Sequence, residues 1–460
     1  MICPRIVIGG AGSGVGKTSL CLAMVSALRR RGLVVQTFKV GPDFLDPTYL
    51  AMASDRPCYN LDGWMMGKRY ILNLFKRATE GADIAVIEGV MGLFDGADPA
   101  TLEGSTAEIA KWLKAPVVLV VNSHGMARSI AALVKGYAGF ERGVRICSVL
   151  ANQCGSERHA LWMKDALRAA DLPPLLGAVP RGALPPLPSR HLGLVTADRS
   201  NLSGTAIEEF AEAFTRHVSV EQVVKVAGKR KLAVEEEPKR KIFSKVVHIG
   251  IARDEAFHFY YRDLIDELEL RGCKVSFFSP LADECLPEGI HGLVLGGGYP
   301  EEHAATLATN KRMLSAIAGF AISGRPVYAE CGGLMYLSAG IRTAAGDQYS
   351  LTGLLPAWTQ MLGHRKALGY VEVSLNEDSL WGSKGQTLRG HEFHYSELDG
   401  DPSDNSDDWR PLYTLRRRRS DAMEKEGYMR DRVTASYVHL HHASQPAAID
   451  HFVRSCGGRP

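Results

Sequence analysis

No CxxC pair occurs among the nine cysteines of this 460-residue sequence, which stand at positions 3, 21, 58, 147, 154, 273, 285, 331 and 456. Thiols scattered in this way make a poor disulfide framework and a poor zinc site, and they suit a reducing cytosol. An excess of one charge is missing too. A formal net charge of +3 gives no electrostatic footprint for nucleic acid or a membrane surface. No uninterrupted apolar run approaches a membrane span, and the start, MICPRIVIGGAGSG, lacks a cationic stretch followed by a long apolar core. There is no internal repeat and no low-complexity domain. These absences lead us to expect a cytoplasmic protein without nucleic-acid or membrane partners. What is present is ordinary globular material, 45% hydrophobic and 23% charged, in a chain long enough for two domains with separate cores.

Alternation is the main signal within that length. Short apolar runs, RIVIGG (5–10), LVVQTFKV (33–40), ADIAVIEG (82–89), APVVLVVN (115–122) and VRICSVLAN (144–152), are separated by helical patterns such as TSLCLAMVSALRRRG (18–32). Continuous apolar strands between helices indicate a parallel sheet covered on both faces, so an α/β doubly wound domain is expected over 1–226. The charged stretch AGKRKLAVEEEPKRKIFSK (227–245) reads as a linker. A second α/β alternation opens a domain over 246–460 with VVHIGIA (246–252), KVSFFSP (274–280), HGLVLGGG (291–298) and RPVYAE (325–330). Strand-like pieces follow at 368–375, 390–397 and 434–443, with an acidic loop, DGDPSDNSDDW, at 399–409. The arginines at 416–419 read as a solvated strand or hairpin, because no aromatic residues interleave them.

GGAGSGVGKTS (9–19) follows the first strand and opens the first long helix. Gly10, Gly12, Gly14 and Gly16 let the backbone curl so that consecutive N–H groups face phosphate oxygens. Lys17 adds charge beside the β- and γ-phosphates, and the Thr18 hydroxyl can ligate Mg²⁺. The strict G-x4-GK[ST] spacing would need glycine at 11, where Ala11 stands, so the loop is longer than usual. Two acidic clusters end later strands: KVGPDFLDP (39–47), with Asp43 and Asp46, and VIEGVMGLFDG (86–96), with Glu88 and Asp95. Carboxylates at the carboxyl ends of parallel strands face the ligand crevice, where they can hold Mg²⁺ or position a substrate. The competing reading is that Asp43 and Asp46 merely shape a Pro-rich turn; two such clusters beside the glycine-rich loop favour a functional role for Glu88 and one of the aspartates.

In GRPVYAECGGLMYLSAG (324–340) a β-type run stops at Glu330-Cys331 and turns through Gly332-Gly333 into a helix. A lone cysteine is often a small core hydrophobe. At the apex of a strand-to-helix turn, however, it stands over a helix N-terminus that favours a thiolate nucleophile. Such a nucleophile needs a base. ASYVHLHHAS (435–444) reads as an alternating strand that puts Tyr437, His439 and His441 on one face, with His439 the candidate base. His441 and His442 read as local polar or packing residues. The strand-plus-glycine run LVLGGGYPEE (293–302) offers N–H groups at Gly297 and Gly298 which, with that of Gly332, could bind an oxyanion. A plain turn at Gly296 to Gly298 is the competing reading.

Taken together, GAGSGVGKTS, FKVGPDFLDP, EGVMGLFDG, GGGYPE, AECGGLMYL, GHEFHYSE and ASYVHLHHAS resemble the cobyrinic acid a,c-diamide synthase family, in order and from residue 9 to 444. That resemblance implies a dethiobiotin-synthetase-like ATP domain followed by a class I glutamine amidotransferase-like domain. It further implies that Cys331 is the glutaminase nucleophile, that His439 raises its nucleophilicity, and that residues 10–18, including Ser13 and Val15, hold ATP. Asp43, Leu45, Asp46, Glu88 and Asp95 match motif positions near the metal and the tetrapyrrole carboxylates. Expected ligands are ATP with Mg²⁺, L-glutamine and cobyrinic acid, with ammonia passing between two sites. Ordinary class I glutaminases carry a glutamate two residues after the base. Here that residue is His441, so the third triad member is absent or supplied elsewhere. Hydrogenobyrinic acid and nickel-sirohydrochlorin a,c-diamide synthases share these motifs. Cobyric acid synthase usually carries a Ser-Asp pair that this loop lacks. A partitioning-type ATPase with a non-catalytic C-terminal domain is the rival from another class, but Gly12 stands where those proteins carry a signature lysine. Residue types give no reading of assembly, for which a homodimer would be unsurprising.

Overall fold

The computed structural model describes residues 3–187, 189–190, 193–194, 196, 202–235, 240–406, 408–418, 420 and 422–459. The chain divides into two units, Met1–Glu237 and Pro238–Pro460. Among the described residues no helix is long and apolar enough to cross a membrane.

Seven parallel strands form the centre of the first unit: β1 (Arg5–Gly10), β2 (Val35–Val40), β3 (Tyr59–Leu61), β4 (Ile84–Glu88), β5 (Val117–Asn122), β6 (Ile146–Cys154) and β7 (Leu175–Pro180). Their order is β3-β2-β4-β1-β5-β6-β7. Helices on both faces explain the uninterrupted apolar sequences, and Ile6, Val7 and Ile8 of β1 are all fully buried. The chain leaves β1 for β2 on one side and crosses from β4 to β5 on the other. Strand order therefore reverses beside β1, which opens a crevice at the carboxyl ends of β1 and β4. Helix α1 (Lys17–Arg30) covers this part of the sheet, with Leu20 and Met24 in one core cluster with Phe210 and Phe214. Each fully buried side chain of this kind contributes ~1.5–3 kcal/mol.

The segment expected as a linker is anchored at both ends. The Arg5 and Gly228 backbones exchange hydrogen bonds of 3.1 and 2.9 Å, and the buried Arg5 guanidinium donates to the Arg230 carbonyl at 2.6 Å. Phe243, near the other end, belongs to a core cluster of the second unit. Residues 236–239 of the segment lie outside the described residues.

A ten-stranded mixed sheet organises the second unit. Its parallel half runs Lys274–Phe278, His248–Ala252, Gly292–Leu295, Val327–Glu330, Val433–Ser436. The antiparallel half continues Met423–Arg430, Arg410–Arg417, Ala367–Leu375, Thr387–His394 and ends at His439–Leu440. The last strand follows Val433–Ser436 after only Tyr437 and Val438, yet it pairs at the far end of the order, His439 opposite His391. The antiparallel half thus curls back towards the parallel half.

Two expectations are corrected here. Residues 435–444 are not one alternating strand: the buried Glu426 carboxylate accepts the Tyr437 N–H at 2.7 Å and the Ser436 hydroxyl at 2.6 Å, and this interrupts the pairing. The acidic stretch 399–409 is not a plain loop. It contains a short helical turn, Pro402–Asn405, capped by Asp401, and Trp409 is buried with its indole N–H on the Leu354 carbonyl. Arg416 and Arg417 lie on a strand and pair with Glu372 at 2.7 Å and Glu392 at 3.0 Å. Asp407 and Arg419 lie outside the described residues.

Candidate active site

The nucleotide loop of the first unit leaves β1 and enters α1 at Gly16, which takes φ 90° at the helix N-cap. A side chain there would be strained, and its Cβ would meet the Asn152 amide nitrogen at 2.2 Å. That same nitrogen donates to the Val15 carbonyl at 2.9 Å and fixes the loop's exit. Ser13 and Gly14 are exposed at the tip, and Val15 is buried. The Lys17 ammonium bends back over the loop to the carbonyls of Gly12 (3.2 Å) and Met91 (2.5 Å). Burial, then the neighbouring charge of Lys39, lowers its pKa.

Beneath the loop lies a buried ionic cluster. Thr18 Oγ1 donates to Glu88 Oε1 at 2.7 Å, and Lys39 Nζ lies 2.9 Å from Glu88 Oε1 and 2.5 Å from Asp46 Oδ2. Burial pushes the Glu88 carboxyl up to about 7 against the pull of Lys39. Burial alone would lower Lys39, but Asp46 and Glu88 outweigh it and hold the ammonium well above its usual range. Glu88 Oε2 is buried without a hydrogen-bond partner among the described residues. Asp43 Oδ1 accepts the N–H groups of Leu45 (2.8 Å) and Asp46 (2.9 Å), so this carboxylate shapes the turn into helix α2 (Asp46–Ser54). Burial and the charge of Asp46 raise it to about 6. Asp95 is exposed on the loop after β4 and accepts the Gly92 N–H at 2.9 Å. Lys39 opens the KVGPDFLDP motif, but nothing in its own sequence neighbourhood marks it as part of the site. Its partner Glu88 is 49 residues away, and no local pattern announces the pair.

In the second unit the turn at the end of Val327–Glu330 is strained. Cys331 takes φ 47° and ψ −100°, a combination L residues rarely adopt, before the helix Gly332–Leu337 begins. Glycines make the turn possible. A Cβ on Gly333 would meet the Leu295 carbonyl oxygen at 2.1 Å, and one on Gly332 would lie 3.1 Å from the Gly298 nitrogen. Gly297 and Gly298 form a short pairing with Phe257–Phe259 rather than a plain turn. His439 packs on Gly297, its Cε1 only 2.5 Å from where a Gly297 Cβ would stand. The glycine segment 297–298 therefore meets both the elbow and the imidazole. The Cys331 N–H is used elsewhere, donating to the Ser436 carbonyl at 2.7 Å.

The thiol differs from the expected thiolate. Cys331 is 5% exposed. Burial first, then the Glu301 carboxylate, pushes its pKa up, so the sulfur rests as the neutral thiol. Behind His439 stand His391, stacked at 5.0 Å, and Glu330, whose Oε2 lies 3.5 Å from His439 Nδ1. His391 is kept neutral by burial and by the neighbouring histidines. His441 points away from the elbow: its Nδ1 accepts the Ala443 N–H at 3.2 Å and its Nε2 faces Asp263 Oδ2 at 3.5 Å. Asp263, His441 and His442 offer ligand atoms within 4.8 Å of one another. Because His441 Nδ1 accepts the Ala443 N–H, the neutral ring carries its proton on Nε2, on the side that faces Asp263, and offers no lone pair there to a metal.

Residues 6–195 match the CobQ/CobB/MinD/ParA nucleotide-binding domain, and residues 248–447 match the CobB/CobQ-like glutamine amidotransferase domain. A cobyrinate a,c-diamide synthase of Syntrophotalea carbinolica is 55% identical, with 100% of each chain covered. The chain belongs to the cobyrinate a,c-diamide synthase family. Other members with this name are the Leptospira interrogans protein, 44% identical over 98% of each chain, and the Priestia megaterium protein, 37% identical over 98% of this chain and 97% of its own. Membership sets aside the partitioning-type ATPase. An ATP-binding domain and a glutamine amidotransferase domain in one chain make it a glutamine-dependent, amide-forming ligase.

Proposed function

We propose that this chain converts the a and c carboxylates of cobyrinate to amides, using two ATP and two glutamine per macrocycle. Cys331 generates ammonia in one unit and the other unit activates the acceptor. The strained Cys331 elbow carries the reading, since its next residue, Gly332, stands beside the Gly298 nitrogen and beside Gly297, the glycine on which His439 packs.

A neutral thiol must lose its proton as it attacks. His439 takes that proton, the sulfur bonds to the γ-amide carbon of glutamine, and the oxyanion is met by the N–H groups of Gly298 and Gly332, with Gly297 shaping the approach. The imidazolium returns the proton to the departing nitrogen, which leaves as ammonia. Water then attacks the thioester with His439 as base, releasing glutamate and restoring the thiol. In the other unit, residues 10–18 hold ATP, with Lys17 on the transferred phosphoryl group. Thr18, Glu88 with its unpartnered buried oxygen, and Asp43 are hard oxygen donors that fit Mg²⁺ and would hold it there. When bound, that ion screens phosphate charge. Lys39 places a fixed cation between Glu88 and Asp46. The substrate carboxylates are assigned to the surroundings of Asp43, Leu45, Asp46 and Asp95. The carboxylate takes the γ-phosphoryl group, ammonia attacks the acyl carbon, and phosphate departs.

The test pairs two variants and two nitrogen sources. Cys331→Ala should lose glutamine-dependent amidation and keep synthesis from added ammonia, whereas Lys17→Ala should lose both. Mass spectrometry of the product distinguishes mono- from diamide. Equal loss of both activities in a folded Cys331→Ala protein would contradict the division of labour. Offering cobyrinate, hydrogenobyrinate and nickel-sirohydrochlorin side by side tests the macrocycle.

A further inference from the structure

The base His439 needs a partner at Nδ1, because only a ring protonated there presents a free Nε2 lone pair to the thiol. Position 441, where an ordinary class I glutaminase carries its glutamate, is committed to Asp263 and the Ala443 N–H. The groups packed around the His439 ring are Phe259, the neutral His391, the Gly297 backbone and Glu330. Among these described residues Glu330 supplies a carboxylate.

It is also held for the purpose. Glu330 Oε1 accepts the Leu440 N–H at 3.0 Å and the Tyr328 hydroxyl, which leaves Oε2 to face His439 Nδ1 at 3.5 Å. The first of these bonds comes from the residue following His439, so one carboxylate clamps both the ring and the backbone that carries it. Tyr328 is two residues earlier on the same strand and therefore on the same face, and its phenol is buried. Nucleophile and carboxylate are thus consecutive residues, separated by the strained φ of Cys331.

We propose that Glu330 is the positioning carboxylate of this glutaminase: it fixes His439 with its proton on Nδ1 and stabilises the imidazolium formed when Nε2 takes the Cys331 proton. This rests on the assignment of Cys331 and His439 above. Glu330 does not touch the substrate and does not itself become protonated. The proton moves from sulfur to Nε2 and on to the departing nitrogen.

Glu330→Gln in the full chain keeps an acceptor for Leu440 and Tyr328 but removes the charge. Glutamine-dependent kcat should fall by about 10²–10⁴-fold. The KM for glutamine and the ammonia-dependent rate should stay near wild type. The acidic limb of the kcat/KM profile should move to lower pH, because an imidazole without its carboxylate is a weaker base. Glu330→Asp, charged but shorter, should lose less than Gln. Should Gln fail to fold, the limb of Asp alone decides: a downward shift supports the assignment and an unmoved limb overturns it. A folded Glu330→Gln protein within about threefold of wild type, with an unmoved limb, also overturns it. Retained glutaminase activity in Cys331→Ser would instead sink the nucleophile assignment, so the two failures are distinct.

Discussion

Lys39 shows how much a single side chain can control. It is nearly inaccessible, as are its two carboxylate partners, and it offsets negative charge that burial would otherwise force to take up protons. Removing one member of such a cluster leaves the rest uncompensated, at a cost of about 3–5 kcal/mol. Lys39→Met, similar in volume but uncharged, should therefore lower the free energy of unfolding of the first unit by about 3 kcal/mol or more in urea titration. It should also remove ATP-dependent amidation from either nitrogen source. A loss below about 1 kcal/mol would mean that Glu88 and Asp46 are held by other contacts. Residues whose neighbours are close in sequence were legible beforehand: the glycines of 10–16, Lys17, Cys331 and Gly332 sit in patterns that name their own geometry. Lys39 and Glu330 were not, because each acts through a partner tens of residues away that is brought near only by the sheet.

Among elements, the parallel strands were readable because burial on both faces leaves uninterrupted apolar runs. The stretch 435–444 misled because alternation was its only signal, and the buried Glu426 that breaks the strand lies on a different one. The glycine segment 297–298 is where the elements of the second site meet. A methyl group at Gly297 would collide with the His439 ring, which packed surroundings allow little room to shift. Gly297→Ala should cut glutamine-dependent turnover by about 10²-fold, as a misplacement of roughly 1 Å would. Ammonia-dependent amidation measured in the same preparation should be unchanged. Normal glutamine turnover in this variant would mean that the base is not constrained by this contact.

At the scale of the molecule, the second unit holds several imidazoles neutral. Burial lowers His441 to about 3 and His442 to about 4, and it drives His391 well down. In the unfolded chain these rings titrate near 6.5. The unfolded state therefore takes up protons first, and the stability present above about 6.5 is lost as pH falls towards about 4 and 3. Glu426, raised to about 7 by burial, has the opposite sign over part of this range, but it is one group against three. The calorimetric transition of the second unit should move to lower temperature between pH 7 and pH 5. A transition temperature constant over that interval would mean these rings are not neutral in the folded state.

The order of the strands has a bearing on how the enzyme comes into being. Cys331 closes a strand in the middle of the second unit, whereas His439 sits on its final one, which pairs with Thr387–His394. A nascent polypeptide emerging from the ribosome presents its sulfur long before its imidazole arrives. If the sulfur and the imidazole divide the work as proposed, a copy whose tail has not yet zipped into place lacks its base and should leave glutamine intact.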